Sequence, residues 1–485
     1  MGEFNDSSNS VANFYCGLGI SKGHRVGILM MNCAEWLPVY FGVLKSAALA
    51  VPLNFRYGCR ELLQAVRYAR LDALVFDCRG AEAVLGLREE LSGLSSLVFI
   101  GPEERRPDLA SSWAQSYGTA SVAEPQVSLT LEDEAAIYFS SGTTGVPKAV
   151  VYTHNSLAQA CVREQLNHKQ TREDVFICIP PLYHVGGMLH WSGNLLMGAK
   201  GVLLLGFTVD ALWETMEREK VSIAFLLVPW IQDMLEQIDE GAHPMAEHEL
   251  SHWRLLHMGA QPIPPTLVKR LLEVFPSVSL DISYGLTESG GPGILNLGSE
   301  NITRFGSVGR PSGGWEAKIV NDNDVQVPTG EIGELLARGP GVMSYYMNNE
   351  EATASALKDG WLHTGDMATC DEDGFYYIVD RKKDIIISGG ENIFPIEIEN
   401  HLRLLDCVAD VAVFGVKHPR LGEAVAAAIE WKPGRGMTED ELNEYCAALP
   451  KYERPKHFFF FDRIPRNPTG KVNKVKLRKM YSNIG

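Results

Sequence analysis

Through the first 380 residues, short apolar runs alternate with amphipathic stretches. Runs at 26–31, 73–76, 97–100, 135–140, 175–179, 202–205, 224–228, 255–258 and 279–283 have the length and composition of strands. Several are apolar without period-two alternation, as strands buried on both faces are. Between them, 60–68, 211–219 and 264–275 carry apolar residues at helical spacing. This alternation predicts an α/β fold of mostly parallel sheets covered by helices. After Gly309, 321–325 and 328–333 read as turns between short strands, so a β-rich subdomain is expected over about 310–380. Beyond Asp380 lies a smaller unit, with strands at 408–416, 424–429 and 457–461. In it, Thr438 with Glu441 forms a capping box that opens a helix. The charged run 380–384 sets the expected boundary. A large N-terminal domain of 1–382 is then followed by a small, mobile α+β C-terminal domain of 383–485.

The length, 485 residues, itself calls for more than one core. The longest apolar runs, such as 223–228, are far too short to span a bilayer, and 1–10 lacks the cationic start and apolar run of a secretory signal. Nine scattered cysteines with no C-x-x-C pair favour free thiols in a reducing cytoplasm. A net charge of −16 argues against nucleic-acid binding. Against that background 451–479 carries ten Lys or Arg and only Glu453 and Asp462, a net +8. Such a segment is either a solubilising tail or a surface that faces a polyanion.

The densest chemistry follows the strand expected at 135–140. Ser140, Ser141, Gly142, Thr143, Thr144, Gly145 and Lys148 lie within nine residues. Glycines let a backbone approach phosphates, whose charge its N–H groups, the hydroxyls and Lys148 can meet. The spacing is not that of a Walker A loop. Further on stand Tyr284-Gly285-Leu286-Thr287-Glu288, Trp361-Leu362-His363-Thr364-Gly365-Asp366, Asp380-Arg381-Lys382-Lys383-Asp384 leading to Gly389-Gly390, and Pro468-Thr469-Gly470-Lys471.

These five segments, in this order, resemble the motifs of the adenylate-forming superfamily, which includes acyl-CoA synthetases, peptide-synthetase adenylation domains and beetle luciferases. The resemblance runs from about Ser10 to Lys479. It implies an ATP-dependent acyl-CoA ligase that uses MgATP, a small carboxylic acid and coenzyme A. The carboxylate attacks the α-phosphorus of ATP to give acyl-AMP and pyrophosphate, and a thiolate then takes the acyl group and releases AMP. Tyr284 is suited to stack on adenine. Thr287 can donate to a phosphate, and Glu288, with Thr144, can hold Mg²⁺. Asp366 can accept the ribose hydroxyls, and Arg381 can donate to the same ribose. The resemblance extends the nucleotide contacts to Gly259, Ala260, Gln261, Asp281, Ser283 and Gly285. It makes Lys471 the catalytic cation on the carboxylate and α-phosphate, Lys383 the hinge between the two half-reactions, and Gly389 and Gly390 neighbours of the pantetheine arm.

Pro181–Gly187 resembles the P-x-x-H segment of acyl- and aryl-CoA ligases, in which the histidine, here His184, gates the acid pocket. With it, Val185, Gly186, Trp191 and Trp230 are expected to line or back that pocket. Gly186 and Gly187 leave room while the tryptophans take it, which points to a medium-sized apolar acid, aromatic or short-to-medium aliphatic. A peptide-synthetase adenylation domain would carry an acidic residue near 181–187, where there is none, and the chain ends fourteen residues after Lys471 without a carrier domain. A luciferase would share every motif. A non-catalytic nucleotide sensor would not need Glu288 and Lys471. About nine residues precede the region of resemblance, where relatives have a few tens, so an edge strand pair is expected to be missing; a homodimer is left open.

Overall fold

The computed structural model describes residues 2–140, 148–241, 249–261, 263–298, 303–466 and 472–482, without the side chains of 190 and 191. Its contacts group 1–140, 148–317 and 337–362 into one unit, and 318–336 with 363–485 into a second.

The first unit holds two mixed, mainly parallel sheets. One contains β1 (Arg25–Leu29), β2 (Leu49–Pro52), β3 (Ala73–Asp77), β4 (Ser96–Ile100), β5 (Ser111–Ser112), β6 (Glu134–Ser140), β7 (Lys148–Thr153) and β17 (Tyr345–Tyr346), in the order β17-β7-β6-β2-β1-β3-β4-β5. The other contains β8 (Val175–Cys178), β9 (Lys200–Leu203), β10 (Ile223–Leu226), β11 (Leu255–Met258), β12 (Ser279–Leu286), β13 (Gly291–Leu297) and β14 (Arg310–Pro311), in the order β14-β13-β12-β11-β10-β8-β9. Pairing is parallel from β6 through β5 and from β12 through β9, and antiparallel at β7, β17, β13 and β14.

The non-alternating apolar runs are explained by burial on both faces. Along β1 and β3, Val26, Ile28, Ala73 and Val75 enter one core, while Leu29, Leu74 and Phe76 enter another. In β10, Ile223 and Phe225 join the first core, and Ala224 and Leu226 join that of the opposite face. The shared core also takes Leu157 and Ala160 from helix His154–Asn167 and Val185, Met188 and Leu189 from helix Val185–Met197, so the helix pair lies between the sheets. Ahead of β1, helix Gly2–Gly17 packs on helix Trp36–Lys45. A Cβ at Gly42 would fall 2.5 Å from that of Val11, so the contact requires glycine there.

A third sheet contains β15 (Glu316–Val320), β16 (Gly333–Arg338), β18 (Leu357–Lys358), β19 (Trp361–Cys370) and β20 (Tyr376–Arg381), and is the β-rich region expected after Gly309. The fourth contains β21 (Ile386–Ser388), β22 (Glu391–Ile393), β23 (Val408–His418), β24 (Gly422–Trp431) and β25 (His457–Phe461). Helix Glu439–Tyr445 opens on the expected capping box, with Thr438 Oγ1 accepting from Glu441 N at 3.3 Å and Glu441 Oε2 accepting from Thr438 N at 2.7 Å.

The division by contacts falls ahead of the expected one at 382/383, because β20 is tied to residues C-terminal to it. The Asp380 carboxylate, on β20, accepts from Ile396 N at 2.9 Å. Lys383 lies in the one-turn helix Lys382–Asp384 between β20 and β21.

Candidate functional site

Strand β12 delivers the central residues of the first unit. It runs antiparallel to β13 with a register shift at Tyr284/Gly285. There the strands come so close that a Cβ on Gly285 would lie 2.3 Å from Gly291 O. The turn Thr287–Ser289 is held by the Ser289 hydroxyl, which accepts from Leu286 N at 2.8 Å and donates to Gly291 O at 2.7 Å. Gly290, at φ +68°, ends it. Tyr284, Thr287 and Glu288 are thereby presented half-buried on a pinned turn.

Glu288 is oriented from elsewhere in the chain. Tyr346 on β17 donates its hydroxyl proton to Glu288 Oε1 at 2.9 Å, and Met343 N donates to Glu288 O at 2.9 Å. Lys148 sits over the Tyr346 ring at 4.4 Å. Two residues expected on phosphate and metal, Lys148 and Glu288, thus meet across an aromatic ring that sequence reasoning missed. No local signal marks Tyr346, because its role depends on β17 pairing with β7. Ser141, Gly142, Thr143, Thr144 and Gly145 lie outside the described residues. Ser140 ends β6, its hydroxyl 3.5 Å from Lys148 O.

Gly259, Ala260 and Gln261 follow β11 and adjoin β12. A Cβ on Gly259 would stand 3.0 Å from Ser283 O and 3.1 Å from its Oγ, and Ala260 is held at φ +66°. Gly259 and Ser283 are therefore close neighbours.

Asp281 is not a nucleotide contact. It is wholly buried, and its Oδ2 accepts from His168 Nε2 at 2.7 Å and from His257 Nδ1 at 2.9 Å. Burial acts to raise its pKa, but the two imidazoles outweigh that and hold the carboxyl well below the usual range. His168, also wholly buried, faces Glu164 Oε2 through Nδ1 at 3.2 Å. Burial opposes its charge, yet Glu164 and Asp281 raise its pKa. His257 Nε2 lies 3.0 Å from Ser283 Oγ. Nothing in the motif pattern pointed to this row, since its members come from three separate segments.

His184 caps helix Val185–Met197, half-buried, with its ring 4.1 Å from that of Tyr183. The preceding loop is clamped by Asn32, which accepts from Leu182 N at 2.8 Å and donates to Pro180 O at 3.1 Å. Three expectations for the acid pocket change here. Val185 is 5% exposed and belongs to the core between the sheets, which leaves it a backing position and not a lining one. Gly187 does not leave room for a ligand, because a Cβ there would lie 2.1 Å from Pro181 O; the space belongs to the backbone. Trp230 stacks on Phe207 at 5.0 Å and packs with the core on the other face of the second sheet, away from helix Val185–Met197. Gly186 is half-buried on the first turn of that helix, and the Trp191 side chain lies outside the described residues.

Replacing Gly187 by Ala should therefore push the His184 loop, destabilising the protein by about 1–3 kcal/mol and raising KM for the acid more than KM for ATP. A melting curve and paired KM measurements check this; an unchanged melting temperature would remove the close approach as the reason for glycine.

In the second unit Asp366 and Arg381 are register partners on β19 and β20, joined at 2.6 Å. Asp366 is 3% exposed, and its N donates to Thr364 Oγ1 at 3.1 Å. Gly389 and Gly390, at φ +62° and +93°, form the two-residue turn between β21 and β22. Lys471 lies outside the described residues; of the residues described on either side, Arg466 and Val472 form an antiparallel bridge and Asn473 N donates to Pro465 O at 2.8 Å.

The family profile described as AMP-binding enzyme matches residues 1–347, and that described as AMP-binding enzyme C-terminal domain matches 397–471. The chain is 32% identical over 484 residues to a long-chain-fatty-acid–CoA ligase of Mycobacterium tuberculosis, covering 99% of this chain and 92% of the relative. To a feruloyl-CoA synthase of an Amycolatopsis species it is 33% identical over 475 residues, covering 97% and 91%. Among solved structures it is similar to the anthranilate CoA ligase AuaEII in complex with anthranoyl-AMP, with TM-score 0.87, 26% identity and coverage of 99% and 91%. Among the described residues no helix is long and apolar enough to cross a membrane.

Proposed function

The chain belongs to the AMP-binding enzyme family and is an ATP-dependent, AMP-forming acyl-CoA ligase, and we propose that the residues assembled around β12 and in the second unit carry its two half-reactions. ATP, Mg²⁺ and coenzyme A are its cofactor and co-substrates. The observation that carries the assignment of roles is the contact of Lys148, Tyr346 and Glu288 on a turn pinned at both ends.

Glu288 fits a divalent metal: it is a hard oxygen donor, half-buried and already oriented by a phenol. Mg²⁺ held there, with Thr144, would neutralise charge on the ATP phosphates. Lys148 and the loop 140–145 take the phosphates, helped by Thr287. Tyr284 stacks on adenine beside Gly259, Ala260, Gln261 and Gly285, and Asp366 and Arg381 bind the ribose. Lys471 stabilises the charge that spreads over the carboxylate and α-phosphate while the acid attacks. The C-terminal residues then reorient about Lys383, and Gly389 and Gly390 lie along the path of the pantetheine arm. His184 gates the acid, read as a medium-sized apolar acid, aromatic or aliphatic. Nine free cysteines support a reducing, cytoplasmic setting.

Pyrophosphate release measured over a panel of acids, with and without coenzyme A, tests this reading. AMP and pyrophosphate are the expected products; ADP and phosphate would refute the adenylate route. Tyr346→Phe removes the donor on Glu288. Loss of an outer partner of a metal ligand typically weakens metal binding about 10–100-fold, so the Mg²⁺ concentration for half-maximal rate should rise about tenfold or more. An unaltered Mg²⁺ titration would show that Tyr346 does not orient the ligand.

A further inference from the structure

Helix period and strand register bring four ionisable side chains together. His257 and Asp281 are register partners on the parallel strands β11 and β12, so their side chains leave the sheet on one face. Glu164 and His168 stand four residues apart at the end of helix His154–Asn167, one turn from each other. That helix end is fixed, since the His168 carbonyl accepts from Arg254 Nη2 at 3.0 Å and Arg254 pairs with Asp174 at 2.8 Å. The Glu164 side chain is 3% exposed, and those of His168, His257 and Asp281 are wholly buried.

Hydrogen bonding accounts poorly for the result. His168 Nε2 and His257 Nδ1 both reach the same oxygen, Asp281 Oδ2, at 2.7 and 2.9 Å, and lie 3.2 Å from each other. Asp281 Oδ1 is also buried and has no hydrogen-bond partner among the described residues. A carboxylate only accepts, so each nitrogen would have to bring a proton to one oxygen, and the two N–H groups would crowd. Charge balance meets the same difficulty. With one imidazolium, the two carboxylates leave a net negative charge in the interior. With two, like charges meet at 3.2 Å.

A divalent cation removes both conflicts. Two neutral imidazoles and two carboxylates around it sum to no net charge, and Asp281 Oδ1 gains a partner. Ligand atoms at about 2.0–2.1 Å from a tetrahedral zinc stand about 3.3 Å apart, so the triangle of Nε2, Nδ1 and Oδ2 needs to open by about 0.6 Å at most. The other ring nitrogens already face the kind of partner that zinc-bound histidines use: His168 Nδ1 faces Glu164 Oε2 at 3.2 Å and His257 Nε2 faces Ser283 Oγ at 3.0 Å. Magnesium and calcium prefer oxygen ligands, whereas imidazole suits zinc.

We propose that His168, His257 and Asp281 bind a zinc ion, with Glu164 and Ser283 as outer partners, and that this ion ties helix His154–Asn167 to strands β11 and β12. Asp281 Oδ1 completes the four-coordinate set, so the site is closed and structural. Binding replaces the protons on His168 Nε2 and His257 Nδ1 with the metal. The site shares no residue with the Mg²⁺ site read around Glu288.

The test uses the full chain, freed of any affinity tag, without ATP or acid. Protein stripped with dipicolinate should bind Zn²⁺ stoichiometrically in a titration and gain melting temperature from it, and Mg²⁺ should do neither. Glu164→Gln keeps a hydrogen-bonding side chain beside His168 but loses its charge, and should weaken zinc binding about 10–100-fold. His257→Gln removes a ligand and should weaken it further. Where His257→Gln does not fold, Co²⁺ added to the stripped intact protein decides: the visible spectrum of a four-coordinate nitrogen and oxygen site supports the proposal, and that of an octahedral oxygen site overturns it. Failure of the stripped protein to bind Zn²⁺ also overturns it and leaves a hydrogen-bonded row. So does zinc held undiminished by folded His257→Gln, which would place the ion elsewhere.

Discussion

Lys471→Ala is expected to slow adenylate formation by about 10²–10³, the usual loss when one preorganised electrostatic contact to a transition state is removed. The reason lies in the chemistry. A carboxylate is a weak nucleophile, and its attack on ATP gathers negative charge on the α-phosphate as pyrophosphate leaves. A compact cation on a long stem suits that moment. The thioester half-reaction begins after that charge has gone. Given synthetic acyl-adenylate and coenzyme A, the variant should therefore form thioester at close to the normal rate. Acid-dependent pyrophosphate exchange reports the first step and thioester formation the second. Equal loss in both would remove Lys471 from a step-specific role.

Gly390→Leu should do the reverse, sparing pyrophosphate exchange and depressing thioester formation about 10²-fold, the scale of a misplaced reactant. Gly390 holds φ +93° in the turn between β21 and β22, where a Cβ would meet nothing within 4 Å. The local cost of leucine is thus backbone strain of about 1–3 kcal/mol and not a clash, and the hairpin should survive it. Gly390→Asn separates the two effects, because asparagine tolerates the left-handed region and is smaller. If Asn is benign and Leu is not, bulk on the pantetheine path is the cause. If both lose the first half-reaction, the turn serves adenylation instead.

Much of the molecule was legible because strands buried on both faces and amphipathic helices write their periodicity into the chain. The run at 255–258 coincides with β11, and those at 73–76, 97–100 and 135–140 miss β3, β4 and β6 by one residue. β7 and β13 were not anticipated. β13 begins Gly291-Pro292-Gly293, which reads as a turn, and becomes a strand because β12 and Arg310–Pro311 flank it. Motif chemistry was legible for a similar reason: phosphate, metal and ribose each demand particular atoms on neighbouring residues, and neighbours in sequence are what a motif records. Tyr284, Thr287 and Glu288 are such neighbours, and β12 with its turn presents them together.

The tertiary structure alone decided the rest. It set Tyr346 on Glu288 across 58 residues and His168 on Asp281 across 113. It also sent Trp230 to the far face of the second sheet and gave the space at Gly187 to Pro181. Periodicity determines that a residue faces a core, and composition that a cation or carboxylate is present. Which residues meet depends on strand order and register, and these are settled by packing between segments that carry no mark of one another in the chain.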